Sequence, residues 1–177
     1  MKERYEKAAT FPEYLERVVK NRDLWHDLYA RAEVLPADVK ALDELAEPRY
    51  LLALSEDWCG DAVNALPLAA RLADASPLLE LRVLGRDDNP DLMDAHLTSG
   101  RSRSIPVIIA YDENFRELGW WGPRPRILQL WVIEEGLALP KEDRYREIRR
   151  WYARDGGRTT INELLELVGA TPAVGAK

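Results

Sequence analysis

A chain of 177 residues, 46% of them hydrophobic and 32% charged, has the composition of a folded globular protein and is long enough for a genuine hydrophobic core. Its 25 basic and 31 acidic residues leave a net charge of −6, the wrong sign for a general binder of nucleic acid or an anionic membrane, because a phosphate surface needs a surplus of Lys and Arg. One cysteine and two histidines exclude an intrachain disulfide and nearly exclude a Cys/His zinc framework, so no metal site and no bound cofactor are expected.

In chain order, Met1-Lys2-Glu3-Arg4-Tyr5 lacks the apolar core of a secretory signal, and no apolar stretch approaches the roughly 18 residues of a membrane span. The expected compartment is therefore the cytoplasm. The first third reads as helical. Thr10-Phe11-Pro12-Glu13 fits a capping box, with Thr10 as the cap and Glu13 reaching back to its backbone N–H. Phe11, Tyr14, Leu15, Val18, Trp25, Leu28 and Tyr29 then recur at helical spacing, with a break at Asn21-Arg22-Asp23. A further helix opens at Pro36 and ends near Glu47-Pro48.

The pattern then changes. Tyr50 to Leu54 is a short apolar run, as expected of a strand buried on both faces. Ala62 to Ala75 reads as a helix, Leu79 to Leu84 as a strand, and Asn89-Pro90-Asp91 as the start of a short helix running to about His96. Pro106 to Tyr111 is a second strongly apolar strand. Asp112-Glu113-Asn114 is a turn, and Phe115 to Trp121 returns antiparallel. Helices follow at about 125–135, 141–154 and 161–168, the last opened by a second capping box, Thr160-Ile161-Asn162-Glu163. The tail from Ala170 to Lys177 reads as frayed. The βαβ alternation predicts parallel strands and the final hairpin an antiparallel edge, hence an α/β fold with a central mixed sheet of about four strands.

The one cysteine, Cys59, falls where a buried strand hands over to a helix. A thiolate there meets the unpaired N–H groups of the first turn, which lower a cysteine pKa. Glu56, Asp57 and Asp61 oppose this. The expectation is a modest net lowering, with the carboxylates turned to water. The opposing reading of Cys59 is a small inert hydrophobe in a core. Both histidines, His26 and His96, read as surface residues, with a Cys59–His96 nucleophile pair as the alternative for His96. Asp87 to Asp94 reads as an acidic helix start rather than a cation site. Arg144, Arg146, Arg149, Arg150, Arg154 and Arg158, interleaved with Tyr145, Trp151 and Tyr152, read as a solvated helix over the sheet, with an anionic-substrate groove as the alternative.

Trp58-Cys59-Gly60-Asp61-Ala62, in this strand-to-helix setting, resembles the Trp-Cys-Gly-Pro-Cys redox motif of the thioredoxin family. Pro67 stands eight residues after Cys59, where thioredoxins carry a helix-kinking proline, and Ile105-Pro106 opens the third strand, where they carry a cis-proline facing the nucleophile. Gly122 after the fourth strand also fits. The resemblance covers about 48–135 of what reads as a single domain over 1–177, with a helical extension at 1–47 and added helices at 136–169. It implies that Cys59 is the nucleophile, with Trp58 an apolar rim. Gly60, Asp61 and Ala62 would complete the substrate-binding turn. The backbone at Ile105, next to a cis Pro106, would pair with an extended thiol substrate.

The departures are as informative. Ala62 replaces the resolving cysteine, and Ala53 replaces the buried aspartate six residues before Cys59 that serves it. Asp61 replaces the motif proline and puts a carboxylate at the rim. The chain by itself cannot perform dithiol exchange. The expected function is monothiol redox chemistry at Cys59 with a low-molecular-weight thiol or a protein thiol or disulfide as partner. A catalytically lapsed module that binds a peptide or protein is the alternative, and a thiol peroxidase or sulfenic-acid sensor a third reading.

Overall fold

The computed structural model describes residues 1–172 and builds a five-stranded sheet in the order β1-β3-β2-β4-β5. The strands are β1 (Ala9–Thr10), β2 (Arg49–Ser55), β3 (Leu79–Gly85), β4 (Val107–Tyr111) and β5 (Glu117–Trp121). β2 lies at the centre, parallel to β3 through Leu52 opposite Arg82 and antiparallel to β4 through Leu52 opposite Ile109. Every residue from Leu51 to Ser55 is buried, as the unbroken apolar run requires of a strand covered on both faces. β4 and β5 form the antiparallel hairpin.

The expected mixed sheet is present, with one strand more than the four anticipated. β1 pairs antiparallel with β3, Ala9 opposite Val83 and Thr10 opposite Arg82. Two residues carry no periodic signal, and Thr10 is also the helix cap, so this strand is invisible to hydrophobic patterning. It has a structural consequence: the N-terminal extension is hydrogen-bonded into the sheet.

The helices are α1 (Lys2–Lys7), α2 (Phe11–Arg17), α3 (Arg22–Arg31), α4 (Pro36–Asp43), α5 (Ala62–Ala75), α6 (Pro90–Ala95), α7 (Arg126–Glu134), α8 (Lys141–Asp155) and α9 (Arg158–Val168). α1 precedes the expected start of helix. The Thr10 capping box forms on both sides: the Glu13 N–H donates to Thr10 Oγ1 at 3.3 Å and the Thr10 N–H to Glu13 Oε2 at 2.8 Å. The second one does not. α9 starts at Arg158, Thr160 lies inside it, fully buried, and Glu163 turns to other partners: Trp121 Nε1 donates to it at 2.6 Å and the Arg126 backbone N–H at 2.9 Å. Ala170 is buried and its N–H bonds the Leu165 carbonyl at 2.9 Å, so the chain is held past the helix end; the rest of the expected fray, 173–177, lies outside the described residues.

α3 packs on α5, and α9 packs on α5 and β5. Phe11, Tyr14, Trp25 and Tyr29 interlock, with Tyr14 and Trp25 edge-to-face at 5.4 Å. α8 does not lie over the sheet as expected. Its Ile148 and Tyr152 bury against Leu128 and Val132 of α7 in a separate small core. Among the described residues no helix is long and apolar enough to cross a membrane.

Candidate active site

The β2-to-α5 connection is a tight turn, in which the Cys59 N–H donates to the Glu56 carbonyl and the Val63 N–H to the Cys59 carbonyl, both at 3.1 Å. Cys59 therefore sits at the mouth of α5. Its Sγ accepts the Ala62 N–H at 3.4 Å, the first-turn contact that a helix start offers an anion. The thiol donates to the Ile105 carbonyl at 3.2 Å. The Ile105–Pro106 bond is cis, as is Gly122–Pro123. Two segments 46 residues apart thus meet at one sulfur.

Gly122 is what allows this approach. Its φ is +134°, and a Cβ built there would stand 2.0 Å from the Pro106 carbonyl oxygen. Only glycine lets the end of β5 pass so close to residue 106.

Sequence reasoning expects a modestly lowered thiol pKa; the structure reverses the sign. Cys59 is 7% exposed, and burial pushes its thiol up. The Ala62 N–H pulls it down, the Asp61 carboxylate pushes it up again, and Arg124 pulls it down more weakly. The carboxylates do not turn to water. Asp57 Oδ2 accepts the backbone N–H groups of Val19 and Lys20 at 2.9 and 2.8 Å, and Glu56 Oε1 accepts that of Asp87 at 3.1 Å. Asp57 also offers its carbonyl to Trp25 Nε1 at 3.0 Å, which pins the N-terminal extension to the site loop.

Asp61 is the largest correction. It is buried, not at the rim, and Arg124 grips it with Nη2 at 2.6 Å and Nε at 2.9 Å. The Tyr152 hydroxyl donates to the same carboxylate at 3.1 Å. Burial still raises the Asp61 pKa against the pull of Arg124. Desolvation raises that of Tyr152 too, helped by the neighbouring Asp61 charge. This cluster joins the site turn to the β5–α7 loop and to α8. Neither partner was legible as a site residue: Tyr152 reads as helix packing, and Arg124 sits in a loop with no periodicity. The one available signal was Asp61 itself, since a carboxylate where a helix start packs inward needs a cation.

Of the other expected site residues, Trp58 is 49% exposed, with the Arg86 guanidinium 5.1 Å from its ring centroid. Gly60 is exposed and its carbonyl accepts Asn64 Nδ2 at 2.7 Å. Ala62 and Ala53 are fully buried, and Ile105 and Pro106 are buried on the far side of the sulfur. His26 is exposed as expected, but His96 is buried. Its Nδ1 bonds the Leu92 carbonyl at 2.7 Å and its Nε2 contacts Glu117 at 3.2 Å, so its polar atoms are taken by partners other than Cys59.

Beside the turn lies a cleft of about 590 Å³, walled by α3, the first turns of α5 and α8. Trp58, Gly60 and Asp61 of the site turn and Gly156-Gly157 after α8 also line it. Both added helical regions thus contribute walls to a single concavity next to the cysteine.

A mixed sheet with a cysteine at a strand-to-helix corner facing a cis-proline is the architecture of the thioredoxin fold. The family model for thioredoxin matches residues 8–146, and the chain belongs to the thioredoxin family. None of the curated proteins compared with the chain matches it. Two solved structures share the fold. One, an HIV epitope scaffold, is 17% identical, with 95% of this chain and 96% of that chain covered and a TM-score of 0.74. The other, a Pseudomonas aeruginosa protein of unknown function, is 18% identical, with 93% and 94% covered and a TM-score of 0.74.

Proposed function

We propose that the protein carries out monothiol exchange at Cys59. The thiol releases its proton to solvent, and the thiolate sulfur attacks one sulfur of a low-molecular-weight or protein disulfide. A Cys59–S–S–R bond forms, the substrate S–S bond breaks, and the departing thiolate leaves with the electron pair. A second small thiol later attacks the mixed disulfide and returns Cys59 to its starting state. Ala62 leaves no internal thiol to do this. The observation that carries the reading is the position of Sγ between the Ala62 N–H and the Ile105 carbonyl beside cis Pro106. Exposed Trp58 would supply the apolar contact for the substrate.

The test is incubation with cystamine followed by intact mass spectrometry. The expected product is one adduct on Cys59, absent in Cys59→Ser, released by dithiothreitol, and forming faster as pH rises. If the folded protein takes up no adduct at any pH at which it stays folded, the exchange reading is wrong.

The 7% exposure and raised pKa of Cys59 favour a second reading, a lapsed module that uses the same surface to bind a partner. Ligand or partner capture unchanged by Cys59→Ala and not released by dithiothreitol supports it.

A further inference from the structure

The cleft beside the site turn shares Trp58 with the exchange surface, but its walls come from α3, α5 and α8 and include neither Ile105 nor Pro106. Its interior is largely apolar, lined by Leu24 and Leu28 of α3, Leu68 of α5 and Ile148 of α8. Leu24 (45% exposed), Trp58 (49%) and Tyr145 (39%) are large apolar side chains held partly open to solvent, and all three line this one concavity. A volume of about 590 Å³ falls within the roughly 300–1,000 Å³ usual for small-molecule sites.

Basic side chains outnumber acidic ones around it although the whole chain carries −6. Arg31 and Arg149 line the cleft. Arg31 meets only Asp27, at 3.6 Å and largely in solvent. Among the described residues, the Arg149 side chain makes no ion pair or hydrogen bond, whereas Arg146 and Arg150 beside it pair with Asp143 and Glu147. Lys141 and Arg144 stand over the Tyr145 ring and add positive charge beside the cleft, where Glu142 also lies. Among the described residues the one acid lining the cleft, Asp61, is already matched by Arg124. An apolar interior with the unpaired Arg149 guanidinium on its wall suits a molecule with an apolar body and one anionic end, and a guanidinium fork fits a carboxylate best.

We propose that this cleft binds a lipophilic carboxylate, its apolar body between α3 and α8 and its carboxylate on Arg149 with Arg31 nearby. The binding needs no thiol, so it stands whether or not Cys59 exchanges disulfides.

Calorimetric titration of the full-length chain with decanoate, below micelle formation, tests this, with decanol as the uncharged control. Saturable binding of one molecule is expected, unchanged in Cys59→Ser. Arg149→Leu is expected to weaken it about tenfold or more, as for a lost charge-assisted hydrogen bond. Ala153→Trp, an exposed position in the cleft wall, is expected to abolish it by filling the space while leaving the core untouched. No saturable binding to the wild type overturns the proposal, as does binding indifferent to Ala153→Trp. Decanol binding as tightly as decanoate, or an Arg149→Leu affinity equal to wild type, overturns the carboxylate assignment. Capture of a peptide but not of decanoate overturns the small-molecule ligand.

Discussion

Asp61→Asn isolates the interaction that separates this site from the motif it resembles. The side chains of Asp61 and Arg124 are 8% and 14% exposed, and their two contacts are 2.6 and 2.9 Å. Removing one partner of a buried pair costs about 3–5 kcal/mol, because the other charge is left without compensation. Here Arg124 keeps some solvent and its bond to Gln129 Oε1 at 2.9 Å, and Asn still accepts the Tyr152 hydroxyl. The expected loss is therefore at the low end, about 3 kcal/mol. In a chain of this length that lowers Tm by about 6–12 °C. The assay is guanidinium unfolding of wild type, Asp61→Asn, Arg124→Met and the double variant. The double variant should recover much of the loss, since it buries no unpaired charge. The same substitution removes a negative charge beside Cys59 and leaves Arg124 unneutralised, so the thiol pKa must fall. The midpoint of iodoacetamide alkylation against pH should move down. A fully stable Asp61→Asn, single losses that simply add in the double variant, or an alkylation midpoint that stays or rises would each refute the argument.

Three further outcomes follow from the geometry. Gly122→Ala forces a Cβ against the Pro106 carbonyl at a positive φ, and should cost more than about 4 kcal/mol or prevent folding, read by circular dichroism and denaturant midpoint. Trp25→Phe keeps most of the aromatic packing but removes the Nε1 donor to the Asp57 carbonyl. About 2 kcal/mol should be lost, with faster amide hydrogen exchange in the site loop. Because burial raises the Cys59 pKa, the folded state holds a proton that the unfolded chain releases once pH exceeds the ordinary thiol range. Wild type should lose stability relative to Cys59→Ser as pH climbs through that range towards the raised value. Parallel pH–stability curves would show that the thiol is not desolvated.

Elements governed by neighbours in the chain are legible in the sequence alone. β2 and β4 are unbroken apolar runs, α5 is a run of Ala and Leu, and Thr10 caps α2 because Glu13 lies one turn away. The motif 58–62, with Pro67, Pro106 and Gly122 in step with it, was equally legible as a thioredoxin resemblance. Interactions within a turn or along a strand depend on spacing alone, and spacing is written in the sequence.

Tertiary structure decided the rest. Thr160 and Glu163 have the same spacing as Thr10 and Glu13, yet no cap forms, because Trp121 and Arg126, 42 and 37 residues away, take the Glu163 carboxylate. Asp61 was expected in water and is locked to Arg124, 63 residues on, and to Tyr152, 91 residues on. The thiol pKa shifts up rather than down because the fold buries Cys59. Desolvation and charge pairing depend on what the folded chain brings alongside a group, and no local pattern encodes that neighbour. The cleft between α3 and α8 is the largest instance, a cavity whose two walls stand more than a hundred residues apart in the chain.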